Sequence, residues 1–199
     1  MHQVWHFIRH GQPQSKGCLL GASDIPLSDE GWQQLVDSVA HLTQVDTIVS
    51  SPLKRCRDFA EHVSAKLKCL LLIEPRLQEM NFGDWDGKSY EVLWQQTSNP
   101  TIGQFWQSPD CYTPPNGESL QLFQARVINW WSGQLRHNRS ANNVVFTHAG
   151  VIKQLVSHIL KLEPNNTHAF HALEVGYGKC VTVHVYYDEQ DKAWAKVVF

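Results

Sequence analysis

Nothing in this chain pairs its cysteines. The five (Cys18, Cys56, Cys69, Cys111 and Cys180) are odd in number, scattered, and free of any C-x-x-C spacing. That excludes a disulfide framework or a zinc knuckle and points to reduced thiols in a cytosolic compartment. No apolar run is long enough to span a bilayer. The opening stretch, MHQVWHFIRH, lacks the basic start and apolar core of a signal peptide, so a cytoplasmic protein is expected. Charge of one sign is also missing. A net charge of −2 gives no electrostatic case for nucleic acid or an acidic membrane as partner. Any anion must therefore be held by a few local cations. There is no internal repeat and no low-complexity segment. No H-x-x-x-H pair falls on a recognisable helix with a third ligand, so neither metal nor cofactor is expected. His168 and His171, three apart, would bind a metal only adventitiously.

What is present is an ordinary globular composition, with 42% hydrophobic and 18% charged residues in 199. The length suits one domain over residues 1–199, with a lid or insertion around 80–118. VWHFI reads as a first strand. Ser28 is a good N-cap, followed by Asp29 and Glu30 in the first turn of a helix through WQQLVDSVAHL. DTIVSS is a second strand, and Ser51-Pro52 reads as N-cap and N1 of the next helix. There Leu53, Cys56, Ala60, Val63 and Leu67 keep a helical apolar stripe. CLLLIEP is apolar without alternation, as in a strand covered on both faces. A turn-rich stretch, RLQEMNFGDWDGKS, precedes an irregular proline- and aromatic-containing one. A long helix then runs from Ser119 to about Arg136, where Trp130-Trp131 is a packing feature. NNVVFTH is a fourth strand and GVIKQLVSHILKL its helix. CVTVHVYY and AWAKVVF close the chain as a hairpin or two edge strands. Strands alternating with helices imply a mostly parallel sheet wrapped on both faces.

Three of these strands end in polar residues just before a helix or loop. The first ends in Arg9-His10-Gly11. The second ends in Ser50-Ser51, with Lys54, Arg55 and Arg57 following. The fourth ends in Thr147-His148, with Gly150 opening the next helix. In an open α/β sheet the carboxyl ends of parallel strands line one crevice, and helix starts there offer free N–H groups to an anion. Guanidinium groups grip phosphate in a bidentate way and stay charged. Two histidines and two arginines at such a place suggest a phosphoryl site, with a neutral histidine as nucleophile. Arginines supply positioning and charge stabilisation without metal. An acid must protonate the leaving oxygen. Glu79, just past the third strand, is the nearest carboxylate with a plausible location, and Asp84 and Asp86 compete with it. Periodicity does not separate Arg55 from Arg57, since both lie about 90–110° from the centre of the apolar stripe.

FIRHGQP, SSPLKRCRDFA, LQEMNFGDWDG, NGESLQLFQARV and VVFTHAGVIKQLV, in that order over nearly the whole chain, resemble the histidine phosphatase superfamily in its phosphoglycerate-mutase-like branch. The resemblance implies a three-layer αβα sandwich on a mostly parallel six-stranded sheet with one antiparallel edge strand. It implies His10 as the phosphorylated histidine, and Arg9 and Arg55 as phosphate-binding arginines. It implies Glu79 as proton donor and His148 as a second histidine touching the transferring group. The implied partner is a small phosphate monoester. A non-catalytic phosphate-binding module on the same fold is the other class, and it would be favoured by loss of His10 or Glu79; neither is lost. Family members often continue R-H-G-E-T and add an asparagine that touches phosphate. Here RHGQPQSKGCLLG is about two residues shorter, leaving Gln14 or Lys16, beside Gly11, to replace that contact. Trp85, Phe105, Trp106 and Tyr112 flank the site, where stacking on a substrate ring competes with packing. No Lys or Arg occurs in TIGQFWQSPDCYTPPNGES, so an apolar leaving group is expected.

Overall fold

The computed structural model describes residues 1–96, 99–162 and 172–198. VWHFI lies within β1 (His2–Arg9), which takes an inner place in a six-stranded sheet. The other strands are β2 (Thr47–Ser50), β3 (Leu70–Ile73), β4 (Asn142–Thr147), β5 (Cys180–Tyr187) and β6 (Ala193–Val198). Their order across the sheet is β3-β2-β4-β1-β5-β6. The pairs β3–β2, β2–β4 and β4–β1 are parallel, and β5 is antiparallel to both neighbours. The expected fold class holds. Its one reversed strand, expected at the edge, lies one place in from it.

Side chains alternate across the sheet with period two. Trp5 and Phe7 therefore face one core while Ile8 faces the other. The first core packs against α5 (Leu120–His137) and α6 (Ala149–Ile159), with Trp131 edge-on to Trp5 at 5.3 Å between ring centroids. The second packs against α1 (Asp29–Val39) and α2 (Lys54–Leu67) around Leu35, Phe59 and Phe146. Ser28 caps α1 as expected, accepting from the Gly31 amide at 3.0 Å, and Ser119 caps α5. Segment 80–118 contributes two short helices, α3 (Tyr90–Gln95) and α4 (Ile102–Gln107), and a 3₁₀ turn at Gly83–Trp85.

Two expectations are corrected. The run CLLLIEP is an edge strand, with Leu70, Leu72 and Ile73 exposed and Leu71 turned toward the second core. An unalternating run records no face, so it does not distinguish a covered strand from an edge. Ser51 does not cap α2. That helix begins at Lys54 with Leu53 in the cap position, and the Ser51 hydroxyl is engaged by His148. His168 and His171 lie outside the described residues. Among the described residues no helix is long and apolar enough to cross a membrane, and no group of three or more His, Cys, Asp or Glu could hold a metal ion.

Candidate active site

β2, β4 and β1 are adjacent and parallel, so their carboxyl ends come out side by side. The register places Arg9 opposite Thr147 and Ser50 opposite Phe146. The backbone continues that ladder one step: the His10 amide donates to Thr147 at 2.9 Å and the Ser51 amide to Phe146 at 3.0 Å. His10, Ser51 and His148 thus converge although 138 positions separate the first from the last.

His10 is only 6% exposed, and its Nδ1 lies 2.7 Å from the Gly11 carbonyl. A carbonyl only accepts, so Nδ1 carries the proton and Nε2 keeps a lone pair. Burial, then the Arg55 charge and the Arg9 charge, hold the ring well below the usual histidine range. The imidazole is neutral at neutral pH, as a nucleophile must be. Gly11 is needed as backbone: a Cβ there would meet the Gly31 carbonyl oxygen at 1.9 Å.

Arg55 is fully buried. Its Nη1 donates to the Ser23 carbonyl at 2.6 Å and its Nη2 to Gly21 at 2.7 Å. Its Nε donates to His148 Nδ1 at 3.3 Å. Since Nδ1 accepts, the neutral His148 ring carries its proton on Nε2 and gives it to the Ser51 hydroxyl at 2.8 Å. Burial and the Arg55 charge hold His148 well below its usual range as well. Both ring nitrogens of His148 are spent on the protein; its rings and those of His10 sit edge to face at 5.1 Å. Cys56 is close by, but burial pushes its thiol up to about 12, so it is no nucleophile. Among the described residues no carboxylate pairs with Arg55. A buried cation answered only by dipoles is a place for an anion.

Arg9 is half-buried. One terminal nitrogen donates to the Val175 carbonyl at 2.7 Å, its guanidinium lies 3.8 Å from the centre of the Tyr177 ring, and its buried Nε has no hydrogen-bond partner among the described residues. Glu79 reaches over the start of α6. Its oxygens accept from the Met80 amide and the Gly150 amide, both at 3.0 Å. Gly150 makes room for it, since a Cβ there would meet Glu79 Oε1 at 2.2 Å. Arg126, on α5, holds the turn that carries Glu79 by donating to the carbonyls of Arg76, Gln78 and Glu79. It forms a two-pronged pair with Glu118 at 2.7 and 2.9 Å.

Arg9, His10 and Glu79 line one open cavity of about 170 Å³, joined by Trp106, Tyr90, Tyr177 and the half-buried Lys153. Arg55 and His148 lie behind His10 and do not line it. Of the expected substrate-side residues, only Trp106 reaches this cavity. Trp85 and Phe105 are 1% and 0% exposed and pack in the first core, because each ring buries more surface there than a cavity wall offers. Tyr112 packs against the same core. Gln14 is exposed, and Lys16 pairs with Glu30 at 3.5 Å on the surface. Asp84 accepts from Asn116, and Asp86 from the loop at residues 21–23; neither carboxylate lines the cavity. Sequence reasoning missed Tyr90, Tyr177, Lys153 and Arg126. Lys153 had a signal: it follows Gly150 by three residues on one helix and so shares its face.

The two depressed histidines carry a stability consequence. Below pH 6.5 the unfolded chain takes up protons that folded His10 and His148 refuse. Stability is therefore full above 6.5 and falls as pH drops toward the folded values. Together they contribute at most about 3 kcal/mol per pH unit. Denaturation followed between pH 7 and 5 should show this slope reduced in His148→Gln; an unchanged slope would contradict neutral burial of His148.

A mostly parallel α/β sheet whose strand ends gather a neutral histidine, one buried and one half-buried guanidinium and a carboxylate defines an enzyme of phosphoryl transfer, and among its relatives are phosphatases. The chain belongs to the histidine phosphatase superfamily (branch 1), whose family model matches residues 5–197. It is 28% identical over 164 residues, 79% of each chain, to the adenosylcobalamin/α-ribazole phosphatase of Escherichia coli K12. The α-ribazole phosphatase from Shigella flexneri superposes with a TM-score of 0.81 at 23% identity, covering 98% of this chain and 96% of that one. A mycobacterial glucosyl-3-phosphoglycerate phosphatase superposes with a TM-score of 0.84 at 22% identity, covering 99% and 97%. Two solved phosphatases with different named substrates share this fold equally well, so the fold does not select the substrate.

Proposed function

We propose that this chain is a metal-independent phosphomonoesterase that works through a phosphohistidine at His10, with α-ribazole 5′-phosphate as its substrate and a cytoplasmic role in cobalamin metabolism. The observation that carries the chemistry is the bare Nε2 of a neutral His10 opening on the cavity shared with Arg9 and Glu79. The Nε2 lone pair forms a bond to phosphorus as the ester P–O bond breaks. Glu79, in its acid form, gives its proton to the leaving oxygen, which departs as the alcohol. The resulting carboxylate then takes a proton from water. The water oxygen bonds to phosphorus, the N–P bond breaks, and inorganic phosphate leaves with Nε2 restored. Arg9, on the cavity wall, answers the charge on the equatorial oxygens, and Arg55 adds its charge through space from behind His10.

The substrate reading rests on the E. coli relative and on the rings of Trp106, Tyr90 and Tyr177 at the cavity. A flat apolar base stacked on one such ring gains about 1–3 kcal/mol. One observation favours a broad phosphatase of small acidic metabolites instead: Lys153 adds a cation to the same wall. A panel of phosphomonoesters decides between them. α-Ribazole 5′-phosphate should exceed 3-phosphoglycerate and fructose bisphosphates in kcat/KM by about ten-fold or more. Equal or better turnover of the acidic sugar phosphates would promote the broad reading.

A further inference from the structure

Arg55 is a buried cation whose terminal nitrogens, among the described residues, hydrogen-bond only to the carbonyls of Gly21 and Ser23. What holds those two carbonyls in place is Asp86, the last acid of the F-G-D-W-D element. Its carboxylate accepts from the backbone amides of Gly21 at 3.2 Å, Ala22 at 2.6 Å and Ser23 at 3.0 Å, and from the Ser23 hydroxyl. A fifth donor, the Phe82 amide, lies at 3.4 Å. The next residue, Asp24, accepts from the Lys54 amide at 2.6 Å and ties the loop to the helix that carries Arg55. Gly21 has no room for a side chain: a Cβ would meet the Met80 carbonyl oxygen at 2.1 Å and Asp86 Oδ2 at 2.6 Å.

The Ala22 amide and the Gly21 carbonyl belong to one peptide unit. That unit is planar and trans, so its N–H and C=O point in opposite directions. One end donates to Asp86 and the other accepts from Arg55. The carboxylate polarises the amide and makes its carbonyl a stronger acceptor. Building on the proposed reaction, we infer that Asp86 is the positioning residue for Arg55, orienting the guanidinium through the peptide between Gly21 and Ala22 and supplying its counter-charge at one remove. Asp86 touches no reacting atom. Its neighbour Trp85 anchors the element in the core, which fixes where the carboxylate stands.

Asp86→Asn tests this with almost no change of shape, because the amide presents N–H to a loop whose own N–H groups face it. The readouts are kcat/KM and the dissociation constant of inorganic phosphate, the latter measured calorimetrically and independent of turnover. In the otherwise unchanged protein, Asp86→Asn should weaken phosphate binding by about ten-fold, with a comparable or larger loss in kcat/KM. In an Arg55→Ala background the same substitution should change either quantity by less than about three-fold, because coupled residues are non-additive. Ser23→Ala, which removes only the hydroxyl donor, should give a smaller loss with the same dependence on Arg55. It carries the test if Asp86→Asn does not fold. Equal losses with and without Arg55 would overturn the inference and leave Asp86 as a loop fastener. Loss of the phosphohistidine reading alone would leave the phosphate-binding coupling intact, so the two failures are distinguishable.

Discussion

Rapid quenching of the enzyme with a phosphorus-labelled monoester should trap acid-labile label on His10, and His10→Ala should abolish the label and cut turnover steeply. The expected loss in kcat is about 1,000-fold or more, because removing a nucleophile leaves only binding and charge stabilisation. The structure makes His10 competent at neutral pH: Nδ1 is committed to the Gly11 carbonyl, and burial beside two guanidiniums keeps the ring uncharged. His148 does not substitute for it, since its own nitrogens are held by Arg55 and Ser51. A chelator should leave activity unchanged. Full dependence on added magnesium, or label surviving in His10→Ala, would reject the mechanism.

The second large effect separates two arginines. Arg55→Ala should cost 100-fold or more in kcat/KM, a few kcal/mol of transition-state stabilisation, whereas Arg57→Ala should be mild. Arg55 is fully buried against His148 and the loop at 21–23. Arg57 faces solvent and pairs with Asp58 at 3.3 Å and with Glu61 at 3.6 Å. Exposed pairs of this kind are worth about 0–1 kcal/mol. Arg55→Lys should not rescue, because one ammonium does not span two carbonyls and an imidazole. A larger loss on Arg57→Ala would show that the guanidinium serving the phosphoryl site has been misassigned.

Much of the chemistry was legible in the chain because strand ends and helix starts are local features. Arg9-His10-Gly11, Ser50-Ser51 and Thr147-His148 each stop an apolar run, and three parallel strands stop at one edge. Glu79 was one of several acids just past the third strand, and it is the one that lines the cavity. The substrate-side residues were less legible. Loop aromatics flanking a site look alike whether they face a ligand or a core, and packing chose the core for Trp85 and Phe105.

Alternation of apolar strands with amphipathic helices, and the motifs at the strand ends, determined by themselves the fold class and the set of groups that meet. Tertiary structure alone decided which nitrogen of each histidine is free, since that depends on a partner carbonyl, guanidinium or hydroxyl. For His148 those partners lie more than ninety residues away. It also decided between Arg55 and Arg57. Both stand at the same angle from the apolar stripe, so nothing periodic distinguishes them. What separates them is that the loop at 21–23, held by Asp86, closes over one side of α2 and leaves the other to water.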